Sequence, residues 1–365
     1  MKWLDLPGPA RFVNRVTAHL CEGQSTVVGT PLLTLQNFEQ VFSEKLEQDL
    51  WRVHRSKAES VSDPLQWLTE QLYIEPNSWV DWNIESLFES LSPKQIIVIQ
   101  GITEKTWNPW KSFVKDFDAV SRRCPADERP VLLLFVRGVS VKQLQLNGVA
   151  LCVEIWTNVL SELDTLIYVD GLIRQAQKII PHHKLIIRQI TAIALWDLEF
   201  AEFLVDQPTP DLFNVYEIVK KGQEALQTRG FVMSGTWEDG GADKVDEIEL
   251  IHPFVLIDKQ DPLDELNRRV WAAQAAELLP AIEMRRRASL DSLRRYISCP
   301  FWLDSERKVT SLEELEIGSL AFAAHNHKAP RELSDKIQWL ANCRNSLAHL
   351  KPLNAASALD RRLYE

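Results

Sequence analysis

Four apolar runs, separated by segments of helix length, constrain most strongly what this chain can fold into. A shorter strand-like stretch at Ser25–Gly29 precedes them, and the runs themselves span Gln95–Ile99, Val131–Val136, Leu151–Ile155 and Thr165–Val169. Strands that helices cover on both faces are apolar along their whole length, whereas a strand with one solvent-facing side alternates. Such runs, alternating with helices, predict an α/β domain with a mainly parallel sheet.

Amphipathic spacing predicts the helices that would cover this sheet. These predicted helices span Gly8–Cys21, Gln36–Trp51, Leu65–Leu72, Ile84–Leu91 and a longer helical stretch from Ile186 to Val205. The proline-containing segment Asp206–Pro210 then predicts a hinge. We therefore assign residues 1–205 to the α/β domain. Residues 206–260, with a strand-like run at Ile248–Ile257, are assigned to a connector.

The remaining residues, 261–365, are predicted to form an all-α domain. Asp261 suits the N-cap of a long helix because Pro262 would occupy its first position. That helix is expected to reach Ile297 and to bend or split at Pro280, which has no N–H group. Helical patterning resumes at Ser311, and the last long helix is predicted from Pro330 to Leu350, closed by Pro352.

Size and composition narrow the class of protein. The chain has 365 residues, which favours at least two domains, and it is 45% hydrophobic and 25% charged. No stretch approaches the ~20 apolar residues that would span a bilayer, and no secretory signal is evident, so we expect a cytoplasmic protein without membrane contact. The five cysteines form no C-x-x-C pair, so the sequence supports neither a disulfide framework nor a zinc site. We also expect no other metal and no cofactor.

The charge differs between the two parts of the chain. Residues 261–365 carry 16 Lys+Arg and 15 Asp+Glu, so the remaining 260 residues carry 25 and 36. The acidic first part disfavours nucleic-acid binding there, and DNA binding is not expected. A basic cluster lies in the C-terminal part, at Arg268, Arg269, Arg285, Arg286, Arg287, Arg294 and Arg295. These residues predict that any RNA contact is made by the C-terminal domain, although a solvated helix face is the commoner role of such a run.

The most specific chemical motif lies in the last predicted helix. Residues Arg344, Asn345 and His349 form an R-N-x-x-x-H arrangement. Cleavage of RNA by its own 2′-hydroxyl needs a group that transfers protons near neutral pH, and histidine does so. It also needs a permanent cation that stabilises charge on the phosphate, which a guanidinium supplies. Five helical positions separate Arg344 and His349 by about 140° around the axis and about 7.5 Å along it.

This motif resembles the signature of the HEPN superfamily, helical domains that include metal-independent ribonucleases of prokaryotic defence and toxin systems. The resemblance implies catalytic roles for Arg344, Asn345 and His349 and RNA as substrate. It also implies a homodimer or a paired partner, with two motifs that face a shared cleft. Many members keep the motif for packing or partner binding. The alternative interpretation therefore places Arg344 in a salt bridge and His349 at a helix C-terminus that favours a cation.

The order of elements in the first part resembles a P-loop ATPase of the AAA or STAND type. The resemblance fails where the phosphate-binding motif should follow the first strand, because Gly29–Gln36 contains neither the lysine nor the second glycine. The strand expected to carry magnesium ligands ends at Gln100, and Asp170 is the better acidic candidate. We therefore predict a degenerate, catalytically inactive NTPase-like domain. The glycine-rich loop Ser234–Ala242 contains Glu238 and Asp239, which would repel phosphate.

Other candidate sites are weaker. The adjacent pair His182 and His183 cannot both reach one metal from a strand, and His325 and His327 are predicted to lie in a loop without other ligands. Glu283 is interpreted as an i, i+4 partner of Arg287 rather than as a catalytic acid.

Together these features predict a metal-independent HEPN-type endoribonuclease of an anti-phage defence or toxin system, regulated by an inactive NTPase-like domain. A non-catalytic adaptor within a multi-protein defence complex is the alternative. A protein that senses a nucleotide without hydrolysing it is the third hypothesis.

Overall fold

Helices and one parallel sheet dominate the computed structural model, which describes residues 2–35, 37–48, 52–58, 61–76, 78–79, 81–177, 182–226, 233–258 and 262–364. The α-helices are α1 Pro7–Cys21, α2 Phe38–Gln48, α3 Pro64–Gln71, α4 Ile84–Ser90, α5 Glu104–Ser121, α6 Val141–Leu144, α7 Glu162–Gln175, α8 His183–Ala194, α9 Leu198–Val205, α10 Val215–Ala225, α11 Pro253–Leu256, α12 Pro262–Leu293, α13 Ile317–Asn326, α14 Arg331–Ala348 and α15 Ala355–Ala358. The strands are β1 Ser25–Thr30, β2 Arg52–Lys57, β3 Gln95–Thr103, β4 Val131–Arg137, β5 Leu151–Ile155, β6 Ala242–Val245, β7 Ile248–Ile251, β8 Phe301–Trp302 and β9 Lys308–Val309.

The chain divides into two compact units. The first comprises Met1–Tyr168, Trp196–Leu198 and Arg229–Val255, and the second comprises Val169–Leu195, Glu199–Thr228 and Leu256–Glu365. Within the described residues, no helix combines the length and the apolar character that crossing a bilayer requires.

The first unit is built on a five-stranded sheet in the order β2-β3-β4-β1-β5, with every pair parallel. The central strands are almost wholly buried, as continuous apolar runs require when helices cover both faces. Val28 of β1, for example, pairs with Phe135 of β4 on one side and Glu154 of β5 on the other. The predicted α/β layout followed by a mainly helical second half is confirmed.

Aromatic side chains fill both sides of this sheet. On one side Phe38 packs against Trp3, Phe42, Phe135 and Trp156, with ring centroids 4.8–6.0 Å apart. On the other side Trp107, Trp110, Phe113 and Phe117 of α5 are buried with the apolar residues of β3 and β4. Three tryptophans of the first half, Trp107, Trp110 and Trp156, are therefore part of its core.

One predicted strand is wrong, since Thr165–Val169 lies within helix α7. Thr165, Tyr168, Val169 and Ile173 are buried, and this spacing of three, four and eight residues marks one face of a helix. Ser161 and Asp164 also exchange hydrogen bonds at the start of α7, which stabilises its first turn. The apolar run was short enough for helix and strand patterns to be confused.

One strand of the sheet, β2, is not predicted by the sequence pattern. Its residues, Arg52–Lys57, are mostly polar, because β2 lies at the edge of the sheet and is only partly covered. The run Ile248–Ile257 is also shorter as a strand than predicted, since β7 ends at Ile251 and α11 follows. The ends of the second predicted helix lie outside the described residues, at Gln36, Asp49, Leu50 and Trp51.

Helix α12 continues through Pro280, so of the two predicted effects of this proline, a bend or a split, the split is wrong. Leu278 and Ile282, on either side of the proline, are buried in the core of the second unit. Their packing offsets the cost of a helix-interior proline, roughly 3 kcal/mol. The predicted N-cap Asp261 lies outside the described residues, whereas the last predicted helix is confirmed as α14, with Pro330 as its N-cap.

A buried amide side chain connects three segments of the second unit. Gln274 of α12 is fully buried; its Nε2 donates to the Leu353 carbonyl at 3.1 Å and to Gln189 Oε1 at 3.2 Å, and its Oε1 accepts from the Leu353 N–H at 2.6 Å. Gln189 of α8 in turn donates to the Leu212 carbonyl. The network satisfies polar groups that water cannot reach, so its loss should be costly.

We expect Gln274→Leu to lower the free energy of unfolding of the second unit by about 3 kcal/mol, because it leaves the Leu353 amide and the Gln189 carbonyl oxygen buried without partners. Urea unfolding followed by circular dichroism would measure this loss. The control is Gln338→Leu, since Gln338 is exposed and, within the described residues, its side chain bonds only Asn342. An equal effect of the two substitutions would contradict the structural role of the network.

Candidate functional site

The motif residues lie in the last turns of α14. The helix ends at Ala348 with His349 as its C-cap, and Leu350 takes a left-handed conformation at φ +58°. The Lys351 N–H donates to the Ser346 carbonyl and the Leu350 N–H to the Leu347 carbonyl, which is the Schellman closure of a helix C-terminus. Backbone geometry therefore fixes where His349 leaves the helix.

The structure places Asn345 and His349 on the same side of α14, because they are four positions apart, and both are exposed. Arg344 is one position earlier and points elsewhere; its side chain is 41% exposed and Nη2 lies 3.3 Å from Oε2 of Glu316. The opposite face of the helix, with Cys343 and Leu347, is buried in the core. The arginine and the histidine are both open to solvent.

A groove of about 370 Å³ borders Arg344. It is lined by Leu279, Ile282, Glu283, Arg286, Glu313, Glu314, Leu315, Glu316 and Ile317 as well as Arg344. Four carboxylates thus face two guanidiniums. The hydrogen bond from Arg286 holds the pKa of Glu283 below its ordinary value, so this carboxylate is charged at neutral pH. Because like charges repel, phosphates are expected to approach Arg344 from the solvent side and not along this groove.

Six of the seven clustered arginines contact acceptors within the second unit. Arg268 and Arg269 pair with Glu265, whereas Arg286 and Arg287 pair with Glu283. The others are Arg285, which donates to the carbonyls of Leu363 and Tyr364, and Arg294, which pairs with Asp291 and Glu313. Among the described residues, none is bonded to the side chain of Arg295. Most of the cluster is therefore already paired within the second unit, and the interpretation of Glu283 as a partner of Arg287 is confirmed.

The segment that follows β1, where the sequence comparison looked for a phosphate loop, contacts another part of the first unit. The Leu32 N–H donates to the Glu238 carbonyl at 2.8 Å, and the Leu33 N–H donates to the Asp239 carbonyl at 3.3 Å. In α/β sheets, ligands usually bind beyond the carboxyl ends of the strands. Here the first two backbone amides after β1, those of Leu32 and Leu33, already have acceptors, so neither is available to a phosphate.

Asp239 organises the glycine-rich loop that makes these contacts. Its carboxylate accepts from the N–H groups of Ser234 at 2.6 Å and Gly241 at 2.7 Å. Burial raises the pKa of Asp239, but the hydrogen bonds, above all from Ser234, outweigh it and keep the pKa below its ordinary value. Gly240 has φ +84°, and a Cβ there would lie 2.3 Å from Leu33. The glycines thus permit close packing and a left-handed turn.

Several other sequence candidates have structural partners. Asp170 is not at a strand end but in α7, where it pairs with His183 at 2.8 Å and Arg174 at 2.7 Å. His182 stacks on Tyr364, with ring centroids 3.5 Å apart. The predicted loop at His325 and His327 is wrong: His325 lies in α13, and His327 is its C-cap. Across the described part of the chain, no three potential ligands converge on a metal position.

Sequence patterns do not single out Asp243, a buried acid of the first unit. Its side chain accepts hydrogen bonds from the Thr157 hydroxyl at 2.7 Å and from the Asn158 and Lys244 N–H groups. Burial nevertheless dominates and raises its pKa to about 6. Thr157 and Asn158 follow β5, so only the tertiary structure reveals this environment.

We expect Asp243 to make the stability of the first unit depend on pH. Because its folded-state pKa of about 6 exceeds its ordinary value of 3.8, its contribution is complete below pH 3.8 and is lost as pH rises through about 6. Asp243→Asn should remove this dependence, a difference on the order of 2 kcal/mol between about pH 4 and about pH 6.5. Urea unfolding at both pH values would measure it. If the free energy of unfolding changed with pH equally in the wild type and the variant, Asp243 would not be the group responsible. Asp246→Asn is the matched control, because Asp246 is exposed.

We also expect MgATP to leave the thermal unfolding temperature unchanged within about 1 °C, because the amides after β1 are occupied by Glu238 and Asp239. Differential scanning fluorimetry with ATP, ADP and GTP at millimolar concentration would test this. A saturable rise with any of them would instead support the nucleotide-sensing hypothesis.

No protein-family model matches this chain, and a search of curated proteins finds none that is significantly similar to it. The local chemistry of α14 is therefore the main basis on which a function can be proposed.

Proposed function

We propose that the chain is a metal-independent endoribonuclease whose active site is formed by Arg344, Asn345 and His349. The observation that carries the proposal is that all three side chains are accessible to solvent at one fixed helix end. The resemblance of R-N-x-x-x-H to the HEPN signature supports the reaction type and a role in prokaryotic defence or toxin systems. On this proposal the first unit is an inactive NTPase-like regulator.

Each residue has a specific role in the proposed reaction. The RNA 2′-hydroxyl attacks the adjacent phosphorus, the 5′-oxygen leaves, and the products carry a 2′,3′-cyclic phosphate and a 5′-hydroxyl. His349 removes or donates a proton, Arg344 stabilises the charge that builds on the pentavalent phosphate, and Asn345 orients a phosphate oxygen.

Two structural features bear on how the site would assemble. The pair between Arg344 and Glu316 is a surface ion pair, with Glu316 76% exposed, and such pairs contribute roughly 0–1 kcal/mol. A phosphate could therefore displace Glu316 at little cost. Because Arg344 and His349 lie about 140° apart around the helix, a second copy that contributes its own motif to a shared cleft would complete the site.

The adaptor function is the second candidate. Six of the seven clustered arginines are used within the second unit, and the groove beside Arg344 carries an excess of glutamates. Both observations suit a subunit that binds other proteins of a defence complex better than one that binds RNA along that groove.

We expect the purified protein to cleave single-stranded RNA in the presence of EDTA and to leave cyclic-phosphate ends. His349→Ala should lower the rate by about 10²–10⁴-fold because proton transfer is lost, and Arg344→Ala should also impair it. Denaturing electrophoresis would follow cleavage, and relief of growth inhibition on expression would provide a second measurement.

The control is His183→Ala, which removes only a partly exposed contact with Asp170 and should retain the wild-type rate. Equal cleavage by the wild type and His349→Ala, or intact RNA with the wild type, would reject the nuclease and favour the adaptor.

A further inference from the structure

The indole of Trp271 binds the end of α14 from a different helix. Trp271 lies on α12, and its Nε1–H donates to the Leu347 carbonyl at 2.6 Å. The last four carbonyls of an α-helix lack the usual intrahelical partner, and Leu347 belongs to this group because α14 ends at Ala348. A side chain of α12 therefore satisfies a backbone group that lies two residues before His349.

This hydrogen bond is largely shielded from water. Leu347 is fully buried, and Trp271 packs against the same core of the second unit. A buried carbonyl that loses its donor cannot replace it with water and retains the cost of desolvation. The Leu350 N–H also reaches the Leu347 carbonyl, at 3.2 Å. Without the indole, the carbonyl would depend on the backbone donors of the helix end alone.

The backbone that follows is strained at one residue. Leu350 has φ +58°, a left-handed conformation that is unfavourable for a residue with a side chain. Backbone hydrogen bonds from the N–H groups of His349, Leu350 and Lys351 close this turn. The net gain from one hydrogen bond is similar in size to the cost of a left-handed leucine. The bond from Trp271 is therefore large enough to determine whether the last turn of α14 stays closed.

The imidazole of His349 depends on this backbone for its orientation. His349 is exposed, and within the described part of the chain no other group is bonded to its ring. A group that transfers a proton must lie within hydrogen-bond reach of the reacting atom, and a small displacement lowers the rate steeply. Whatever fixes the helix end thus also fixes the position from which His349 can act.

We propose that Trp271 is a positioning residue for His349, because its indole N–H holds the last turn of α14 without contacting the substrate. The inference rests on the proposed function in taking His349 as the proton-transfer group. It adds that α12, which carries none of the motif residues, controls the activity of the site.

Trp271→Phe tests this role, because phenylalanine keeps an aromatic ring in the core and lacks the N–H. Hydrogen–deuterium exchange of the amides of His349, Leu350 and Lys351, measured by mass spectrometry, is expected to become about tenfold faster, equivalent to ~1.4 kcal/mol. In RNA cleavage, kcat should fall about tenfold while KM stays unchanged, since no group that binds the substrate is altered.

The matched control is Trp339→Phe. Trp339 lies on α14 about two turns before Leu347 and packs against the same core, with the Arg362 guanidinium 4.0 Å from the centroid of its ring. Among the described residues, none accepts a hydrogen bond from its indole N–H. The control therefore removes the same atoms without removing a hydrogen bond, and it should change neither the exchange of the last turn nor kcat. Circular dichroism of both variants would verify that they are folded.

The outcomes separate this inference from the proposed nuclease. Unchanged exchange in Trp271→Phe overturns the role of Trp271, whether or not the wild type cleaves RNA. Faster exchange with an unchanged kcat also overturns it, because the bond would then stabilise the helix without positioning the imidazole. If the wild type cleaves no RNA, the nuclease is rejected, and faster exchange in Trp271→Phe but not in Trp339→Phe still supports Trp271 as the group that fixes the helix end.

Discussion

The position of the candidate active site depends on two hydrogen-bonding side chains of one helix. Trp271 of α12 donates its indole N–H to the Leu347 carbonyl at 2.6 Å, two residues before His349, and Gln274, one turn later, binds both backbone groups of Leu353. The chain is thus anchored immediately before and after the motif. An exposed histidine can act reproducibly on a substrate only if its backbone is fixed, and α12 provides that rigidity.

Continuous apolar runs made the sheet predictable, because a strand that is buried on both faces consists almost entirely of apolar residues. The same criterion failed for Thr165–Val169, a run as apolar as a strand but spaced as a helix, and for the polar edge strand β2. Pro280 shows a different limit. Local propensity opposes a helix there, but the packing of Leu278 and Ile282 outweighs it, and that packing is not visible in the local sequence.

For the site, the sequence indicated the residue types and the helix but not their electrostatic surroundings. Glu316 lies 28 positions from Arg344, and only the packing of α13 on α14 brings the two together. The partners of the arginine cluster follow in part from i, i+3 and i, i+4 spacing, whereas the contact from Arg285 to the Tyr364 carbonyl does not. The hydrogen bonds of the amides after β1 could not be predicted from the sequence either, since their acceptors lie about 200 positions away in the chain.

The left-handed conformation of Leu350 strains the backbone at the C-terminal end of α14. Glycine is the usual residue at this position of a Schellman closure, and a leucine there carries a backbone cost of roughly 1–2 kcal/mol. Opening of the last turn would recover this energy, but the hydrogen bond from Trp271 to the Leu347 carbonyl and the bonds from Gln274 to Leu353 hold the chain on both sides of Leu350. Two side chains of α12 thus keep a strained residue in place, and loss of either one should release the last turn of α14 before any other part of the helix.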